Sequence, residues 1–326
     1  MSTSGSSDFT ETRDQLISGA LSLLGVLAAG ETAQSADITY CATVLNAMVK
    51  AWMAQGIHLW TEESGTIFLV NGQPQYNLQA GASGSKASDG SNTVETTLAA
   101  AVSSGTSISV ASTTFNQATM QIGDTIGVSQ DNNVILWTTI ANIVGTTITL
   151  NASVASSASA GNGVYSYTTQ LPRVLSIQSA RYRNPQNFDR VIDIKPREDY
   201  MRIPQKELTG SPIILYYSPQ LTNGQVFVWP APNTTNGTIE ITYLRTIQDF
   251  DTGSDNPDFP QEWLEAITYN LAVRIAPAYG ISLSSGGING NPDILRQAAQ
   301  YLEDMKAWDT EIPYVQIVRK PTDYNK

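Results

Sequence analysis

The feature that most constrains the fold is a block of about 90 residues, 80–170, whose composition differs from the sequence on either side. Of the chain's 18 basic and 29 acidic residues, this block holds one and four. Short stretches of alternating apolar and polar residues recur in it at the spacing expected of a small barrel or sandwich. We assign strands to 106–110, 124–128, 134–140, 146–150 and 164–167. The pattern predicts an all-β domain inserted into a host fold, between a Gly/Ser linker at 81–91 and Leu171-Pro172.

The sequence before this block predicts two helices. Asp8 and Glu11 have the spacing of a capping box, and apolar residues follow at helical intervals up to Gly30. A second helix is predicted over 35–55, and Cys41 belongs to its apolar stripe. We therefore expect an antiparallel helical hairpin in which Cys41 is a buried, structural thiol rather than a reactive one.

Two turn signals predict β-hairpins in the host fold. After Gly56 the apolar period changes from 3.6 to 2 around Asn71-Gly72, which predicts the first hairpin. Strands return over 173–246, where the end of one strand at Pro230-Ala-Pro232 and a turn at Asn236-Gly237 predict the second.

Helices return near the end of the sequence. Pro260 heads one predicted helix that breaks near Pro277, and Pro292 stands at the start of the last. The expected fold class is α+β: an antiparallel helical bundle with β-hairpins or a small β-sheet, plus the inserted all-β barrel or sandwich. The expected segments are 1–79 (helical hairpin and β-hairpin), 80–170 (inserted β domain), 171–252 (β-rich part of the host fold), 253–309 (C-terminal helices) and 310–326 (extended C-terminal docking arm).

The residue inventory argues against most enzyme classes. A single histidine, His58, and a single cysteine leave no set for the common His-dependent triads, zinc sites or an internal disulfide. No P-loop, GxSxG elbow, paired CxxC, HExxH or strand-linked GxGxxG occurs. Glu62 and Glu63 would point to opposite faces of a strand, which does not make a glycosidase pair. We expect no enzyme and no cofactor, with carboxylate-only catalysis left open.

An acidic loop precedes the C-terminal helices. Its carboxylates come from Asp249, Asp251, Asp255 and Asp258, a spacing that could suggest calcium. The 12-residue EF-hand pattern with its closing glutamate is missing from this loop. We favour a solvated turn that caps a helix, and we expect no metal.

Overall charge and hydropathy indicate a soluble, assembly-forming protein. The net charge of −11 does not supply the basic face of a general nucleic-acid clamp. The longest apolar run, 16–29, is too short to span a bilayer and follows acidic rather than basic residues. We expect no membrane partner and a protein made in a reducing cytoplasm until it is assembled into something larger.

One local segment reverses the charge balance. Residues 173–206 hold eight bases and four acids. The candidate basic stripe, facing a partner or DNA, consists of Arg181, Arg183, Arg190, Arg197 and Arg202. Alternating charge in strands is commonly a solvated face, and of the two ligands we favour a protein partner.

The segment 310–326 follows the last predicted helix and has no helical period. Its apolar run would be unstable alone, so we interpret it as an extended arm that docks on another subunit. The candidate docking residues are Ile312, Tyr314, Val315, Ile317, Val318, Arg319 and Lys320.

The order of elements resembles a known protein family. The first helices end in LNAMVKAWMAQGIHLW and lead to TIFLVNGQPQYNL; a late VFVWPAPNTTNGTIEITYLR precedes DFPQEWLEAITYNLAVRIA and a final helix. This succession is similar to the head-to-tail adaptor, or tail accessory, proteins of short-tailed bacteriophages. The resemblance covers residues 8–79 and 171–326 and contains no catalytic signature. The insertion departs from the shortest members, so its role is not implied by the resemblance.

The resemblance implies a structural virion protein at the head–tail junction, assembled in the bacterial host. It would form a connector ring, similar to the family's dodecamers, between the portal and the next tail component, a nozzle or knob. The ring would help to retain the packaged genome, and double-stranded DNA would pass through it during ejection. The docking arm would then bind the portal.

Other classes remain open from the sequence. In a tail fibre or other carbohydrate-binding protein of the virion, the Ser/Thr-rich insertion would be the ligand site, although decoration or packing between subunits is the favoured role for it. A peptidoglycan hydrolase would need carboxylates such as Glu62 or Asp124.

Overall fold

A computed structural model describes residues 5, 9–28, 30–56, 59–78, 86–221, 224–283 and 292–309. Within them lie five α-helices: α1 (Arg13–Leu23), α2 (Ser35–Ala54), α3 (Arg197–Met201), α4 (Leu264–Ile275) and α5 (Pro292–Trp308). Short 3-10 turns, Gln261–Trp263 and Ala276–Tyr279, stand directly before and after α4.

The same described residues contain 19 strands. Two precede the insertion: β1 (Glu62–Phe68) and β2 (Gln75–Leu78). Nine lie between residues 86 and 170: β3 (Ala87–Ser88), β4 (Val94–Thr97), β5 (Gly105–Ser109), β6 (Thr114–Phe115), β7 (Ala118–Thr119), β8 (Thr125–Ser129), β9 (Ile135–Val144), β10 (Thr147–Val154) and β11 (Gly163–Tyr167). Eight follow: β12 (Val174–Arg183), β13 (Asp189–Val191), β14 (Asp193–Ile194), β15 (Thr209–Gly210), β16 (Ile214–Ser218), β17 (Gly224–Trp229), β18 (Ala231–Pro232) and β19 (Thr238–Arg245).

The chain divides into two compact units. The helical unit joins Met1–Trp60 to Ile247–Lys326, and the β unit is Thr61–Thr246. Each has its own buried core. The finer division into five segments stays a prediction, because the structure separates the chain into these two units without dividing either of them further.

The helical unit is built around α4, which packs against α1, α2 and α5. The apolar stripes of these helices share one buried cluster that includes Leu45, Trp52 and Leu271. Trp52 lies 5.8 Å from Trp263 between ring centroids. Cys41 is fully buried in the same cluster, as predicted, and burial raises the pKa of its thiol.

Helix α1 begins later than its sequence pattern predicts. Its first residue is Arg13, and the Gln15 side chain accepts a hydrogen bond from the Thr12 N–H at 2.8 Å. The Arg13 N–H donates to the Asp255 carbonyl at 2.8 Å. These contacts satisfy N–H groups that a helix start leaves without intrahelical partners. The predicted cap at Asp8 lies outside the described residues.

Two sheets of the β unit pack face to face. One has five strands in the order β13-β12-β19-β1-β3, and the other has four in the order β14-β16-β17-β2. Their buried faces share a cluster that includes Ile67, Leu78, Leu215, Val226 and Tyr243. This pair of sheets is the sandwich that holds the candidate site.

The predicted helical bundle carrying hairpins or a small sheet is wrong. The fold is α+β, but extended sheets make up most of it and the helices are few. Neither predicted hairpin forms, because β1 and β2 flank the Asn71-Gly72 turn in different sheets, and so do β17 and β19 around Asn236-Gly237. Instead β1 pairs with β19, in a register that brings Ile67 opposite Ile239. Local turn signals do not reveal partners so distant in sequence.

The insertion forms a curled six-stranded sheet in the order β4-β11-β8-β9-β10-β5. Leu98 and Val110, just beyond its two edge strands, form an antiparallel bridge, so the sheet is a half-barrel around its own apolar cluster. The strands assigned from sequence alternation correspond to β5 and β8–β11. Ser88 also bridges Gln170, which holds the entry and exit of the insertion side by side.

Candidate functional site

The candidate site lies on the face of the five-stranded sheet that points away from the sandwich core. Register across the sheet places Arg181 opposite Glu240, and Glu240 opposite Thr66. Arg183 lies on the same face, two residues along β12, opposite Thr238. Because side chains alternate between the faces of a strand, these groups form one polar surface.

Both arginines of β12 are paired with carboxylates. The Arg183 Nε lies 2.9 Å from Asp189 Oδ1, and its Nη1 lies 3.7 Å from Glu240 Oε1. The Arg181 Nη1 lies 3.7 Å from Asp189 Oδ2. The hydrogen bond with Arg183 lowers the pKa of Asp189, and the same bond raises the pKa of Arg183. The positive charges of Arg181 and Arg183 are therefore balanced by carboxylates of the same sheet.

Glu95 of β4 brings the insertion to the same cluster. Burial, and next the negative charge of Glu240, raise the pKa of Glu95 to about 7, although Arg183 opposes the shift. The Thr66 hydroxyl donates to the Glu240 carboxylate, with Oγ1 at 3.2 and 3.1 Å from the two oxygens. Two carboxylates thus face one another where the insertion meets the sheet.

A cleft of about 590 Å³ opens beside these groups. Its floor includes Thr66, Glu240 and Arg181, and its opposite wall is the Phe115–Ala118 turn of the insertion. Gly90 also lines the cleft and has a φ of +82°. A Cβ atom at this position would lie 2.3 Å from the Ser64 carbonyl oxygen. Only glycine lets the incoming chain lie this close to β1.

The other arginines of the predicted stripe lie apart from this cluster. Arg190 of β13 lies opposite Tyr182, and its Nη2 donates to the Pro212 carbonyl at 2.9 Å. Arg197 begins α3, and Arg202 follows that helix with Nη1 3.9 Å from Asp199 Oδ1. The structure brings together only Arg181 and Arg183.

Of the carboxylates discussed for catalysis, Glu62 is exposed at the start of β1, whereas Glu63 and Asp124 have structural contacts. Glu63 accepts hydrogen bonds from the Tyr243 hydroxyl at 3.0 Å and from the Arg245 Nε at 2.7 Å. Asp124 is buried and accepts the Gln121 N–H at 2.7 Å, which fixes a turn.

The acidic loop of the helical unit caps backbone groups. The Asp255 carboxylate accepts a hydrogen bond from the Thr252 hydroxyl, and it also accepts the N–H groups of Thr252 and Asp251 at 2.6 and 2.8 Å. The Thr252 hydroxyl first, and then these N–H groups, lower its pKa. Asp258 accepts the Gln248 N–H at 3.0 Å. Among the described residues, no group of three His, Cys, Asp or Glu side chains is arranged to hold a metal ion.

Two expectations fall outside what the structure describes, and one site residue was missed. The docking residues between Ile312 and Lys320 lie outside the described residues, as does His58, so the docking arm stays a prediction. Glu95 carries no sequence signal, because its partners come from β12 and β19, more than 80 residues away.

The comparison with protein families identifies the chain. The model of the SU10 adaptor protein family matches residues 138–316, which include β12–β19, α4 and α5. The chain belongs to the SU10 adaptor family. It is thus a bacteriophage structural protein of the adaptor type, a component of the virion that contacts other virion components. The match does not extend to residues 8–79, which carried part of the resemblance.

The other comparisons support no further conclusion about the fold or the function of the chain. No curated protein matches the chain. Among solved structures, VP17, a capsid protein of bacteriophage P23-77, is 9% identical, with 59% of this chain and 77% of VP17 covered. Its TM-score of 0.14 is too low to support any conclusion about the fold. In the described part of the chain, none of the helices is both long and apolar enough to cross a bilayer.

Proposed function

We propose that this SU10 adaptor family member is a non-enzymatic ring adaptor between the portal and the next tail component. The observation that carries the proposal is the family match over 138–316. Twelve copies would form the ring, help to retain the packaged genome, and leave a channel through which double-stranded DNA is ejected.

The charge of the chain supports the conduit role. Each copy has a formal charge of −11, and twelve copies would carry −132. The arginines of β12 are paired with carboxylates and do not offset this balance as free cations. A channel of this sign does not bind a passing polyanion tightly, since DNA affinity depends on releasing counterions at basic contacts.

The test is the mass of the purified full chain, alone and mixed with the portal protein of the same phage. A 35.2 kDa chain in twelve copies gives a particle of about 420 kDa, formed alone or on the portal. Portal alone and an unrelated acidic protein mixed with portal are the controls. A chain that stays monomeric in both samples would refute the ring.

A second measurement addresses the channel. The full chain, titrated with a fluorescent DNA duplex at about 0.15 M salt, is expected to show no binding. Tight binding that weakens steeply as salt is added would contradict a passive conduit and favour a DNA clamp.

A further inference from the structure

A polar groove runs along the joint between the insertion and the five-stranded sheet. The cleft of about 590 Å³ described above is one part of it, and a second cavity of about 170 Å³ is the other. Glu95 and Arg183 line both cavities, so the two are neighbours along the joint. The groove has the size of a small-molecule site, and its length along the joint suits an extended ligand.

Two asparagines hold hydrogen-bond donors in place in the smaller cavity. The Asn184 Oδ1 accepts the N–H groups of Gln186 and Phe188 at 3.0 and 2.9 Å. The Asn236 Oδ1 accepts the Gly163 N–H at 3.1 Å. These bonds fix both side-chain amides through their oxygens. Each NH2 group keeps its two donors without an acceptor among the described residues.

The larger cleft adds donors and acceptors on its floor and on its opposite wall. The side chain of Arg181 is 52% exposed, and its Nη1 is 3.7 Å from Asp189, beyond hydrogen-bond distance. The ion pair therefore balances the charge of Arg181 while leaving its N–H donors available. Gln117 on the wall is exposed, and its amide offers both donors and an acceptor. The carboxylate of Glu240 is an acceptor on the floor.

The charges along the groove nearly cancel. The two arginines of β12 are balanced by Asp189 and Glu240, and Glu95 holds its proton below its pKa of about 7. A strongly charged ligand of either sign would therefore meet groups of like charge. Of the described residues that line the larger cleft, only Phe115 has a large apolar side chain, so the pockets for apolar side chains that peptide recognition uses are missing there.

We propose that this groove binds a neutral oligosaccharide. A sugar hydroxyl both donates and accepts hydrogen bonds, so a chain of sugars can use the amide and guanidinium donors together with the carboxylate acceptors. The ring of Phe115 would lie against the apolar C–H face of a sugar. The ligand needs no charge of its own.

The geometry of the carboxyl groups is that of a binding site and not of a hydrolase. Glycosidases hold their two carboxyl groups at least about 5 Å apart, on either side of the bond that is cleaved. Glu95 and Glu240 are instead joined by a side-chain hydrogen bond. The sugar chain would therefore be held intact.

The test is titration calorimetry of the full chain with oligosaccharides that differ in charge, at about pH 6, where Glu95 is protonated. The neutral probes are tetrasaccharides of glucose, mannose, galactose and N-acetylglucosamine. The charged probes are a tetramer of galacturonic acid and a tetramer of glucosamine. At least one neutral probe is expected to bind, about tenfold more tightly than either charged probe. No binding of any neutral probe, or tighter binding of a charged one, would overturn the inference.

Two variants test whether the sugar lies in the groove. Arg181→Ala should weaken binding of the neutral probe about tenfold and Gln117→Ala about fivefold, because each removes hydrogen bonds to the ligand. Arg202→Ala is the matched control, since Arg202 is also exposed, lies 3.9 Å from a carboxylate and does not line the groove. Circular dichroism checks that each variant is folded, and Gln117→Ala on its exposed turn decides if Arg181→Ala is not. Wild-type affinity in the folded groove variants would overturn the inference.

The inference goes beyond the ring adaptor and does not depend on it. A ring that binds none of the neutral probes would overturn the sugar site and leave the ring adaptor standing. A monomer that binds them in the groove would support the sugar site and refute the ring.

Discussion

Replacing Glu95 with Gln tests the carboxylate cluster at the contact between the insertion and the sheet. Glu95 faces Glu240 there, and burial together with that charge raises its pKa to about 7 from about 4.5. Gln keeps the size of the side chain and can donate a hydrogen bond to Glu240, as the protonated acid does. The variant therefore isolates the cost of ionising Glu95.

The sign of the effect follows from proton linkage. Below pH 4.5 the carboxyl is protonated in both folded and unfolded chains, and no penalty arises. As pH rises from 4.5 to 7 the unfolded chain releases this proton while the folded protein still holds it, so the wild-type protein loses stability until the buried carboxyl also ionises near pH 7. A pKa difference of this size corresponds to about 3 kcal/mol at most. Because the site borders an open cleft, solvent screens part of this penalty, and we expect the wild-type protein to lose about 2 kcal/mol of stability between pH 5 and pH 8.5.

The assay is chemical unfolding of wild type and Glu95→Gln from pH 5 to 8.5, followed by circular dichroism. Subtracting the free energy of unfolding of one protein from that of the other cancels the contribution of every ionisable group that they share. Relative to wild type, the free energy of unfolding of Glu95→Gln should rise by about 2 kcal/mol as the pH goes from 5 to 8.5. Glu62→Gln, an exposed carboxylate on β1, is the matched control and should run parallel to wild type. Parallel curves for Glu95→Gln as well would refute the reasoning.

Three further outcomes are expected. Trp52→Ala should lower the free energy of unfolding by roughly 3 to 5 kcal/mol, because the Trp52 ring is buried among other aromatic rings. His58→Gln should leave it nearly unchanged. Equal melting temperatures for the two variants would contradict a core role for Trp52. Deleting 310–326 should leave the circular dichroism spectrum of the folded part unchanged but abolish binding to the portal, which co-sedimentation of the variant with portal decides; retained binding would contradict the docking arm. Residues 80–170 expressed alone should give a dispersed proton–nitrogen NMR spectrum, since the half-barrel has its own core; a collapsed spectrum would mean that the contact with Phe68 is required.

Local patterns predicted the elements that local interactions determine. The helix at 35–55 corresponds to α2, and alternation in the insertion located β5 and β8–β11, because period and turn chemistry act over neighbouring residues. The pairing of β1 with β19 was missed because it joins residues that are at least 170 positions apart, and no local turn indicates it. The same distance hides the meeting of Glu95 with Glu240.

The arginine stripe shows how sheet register changes the meaning of charge counted along a sequence. Arg181 and Arg183 share a face with Asp189, while the neighbouring Arg190 turns to the other face and bonds backbone carbonyls. An excess of bases in one segment therefore produces no continuous basic surface. Phosphate binding needs free cations, whereas Arg181 and Arg183 already have carboxylate partners, so charge counted along the sequence overstates how well this face would bind a DNA backbone.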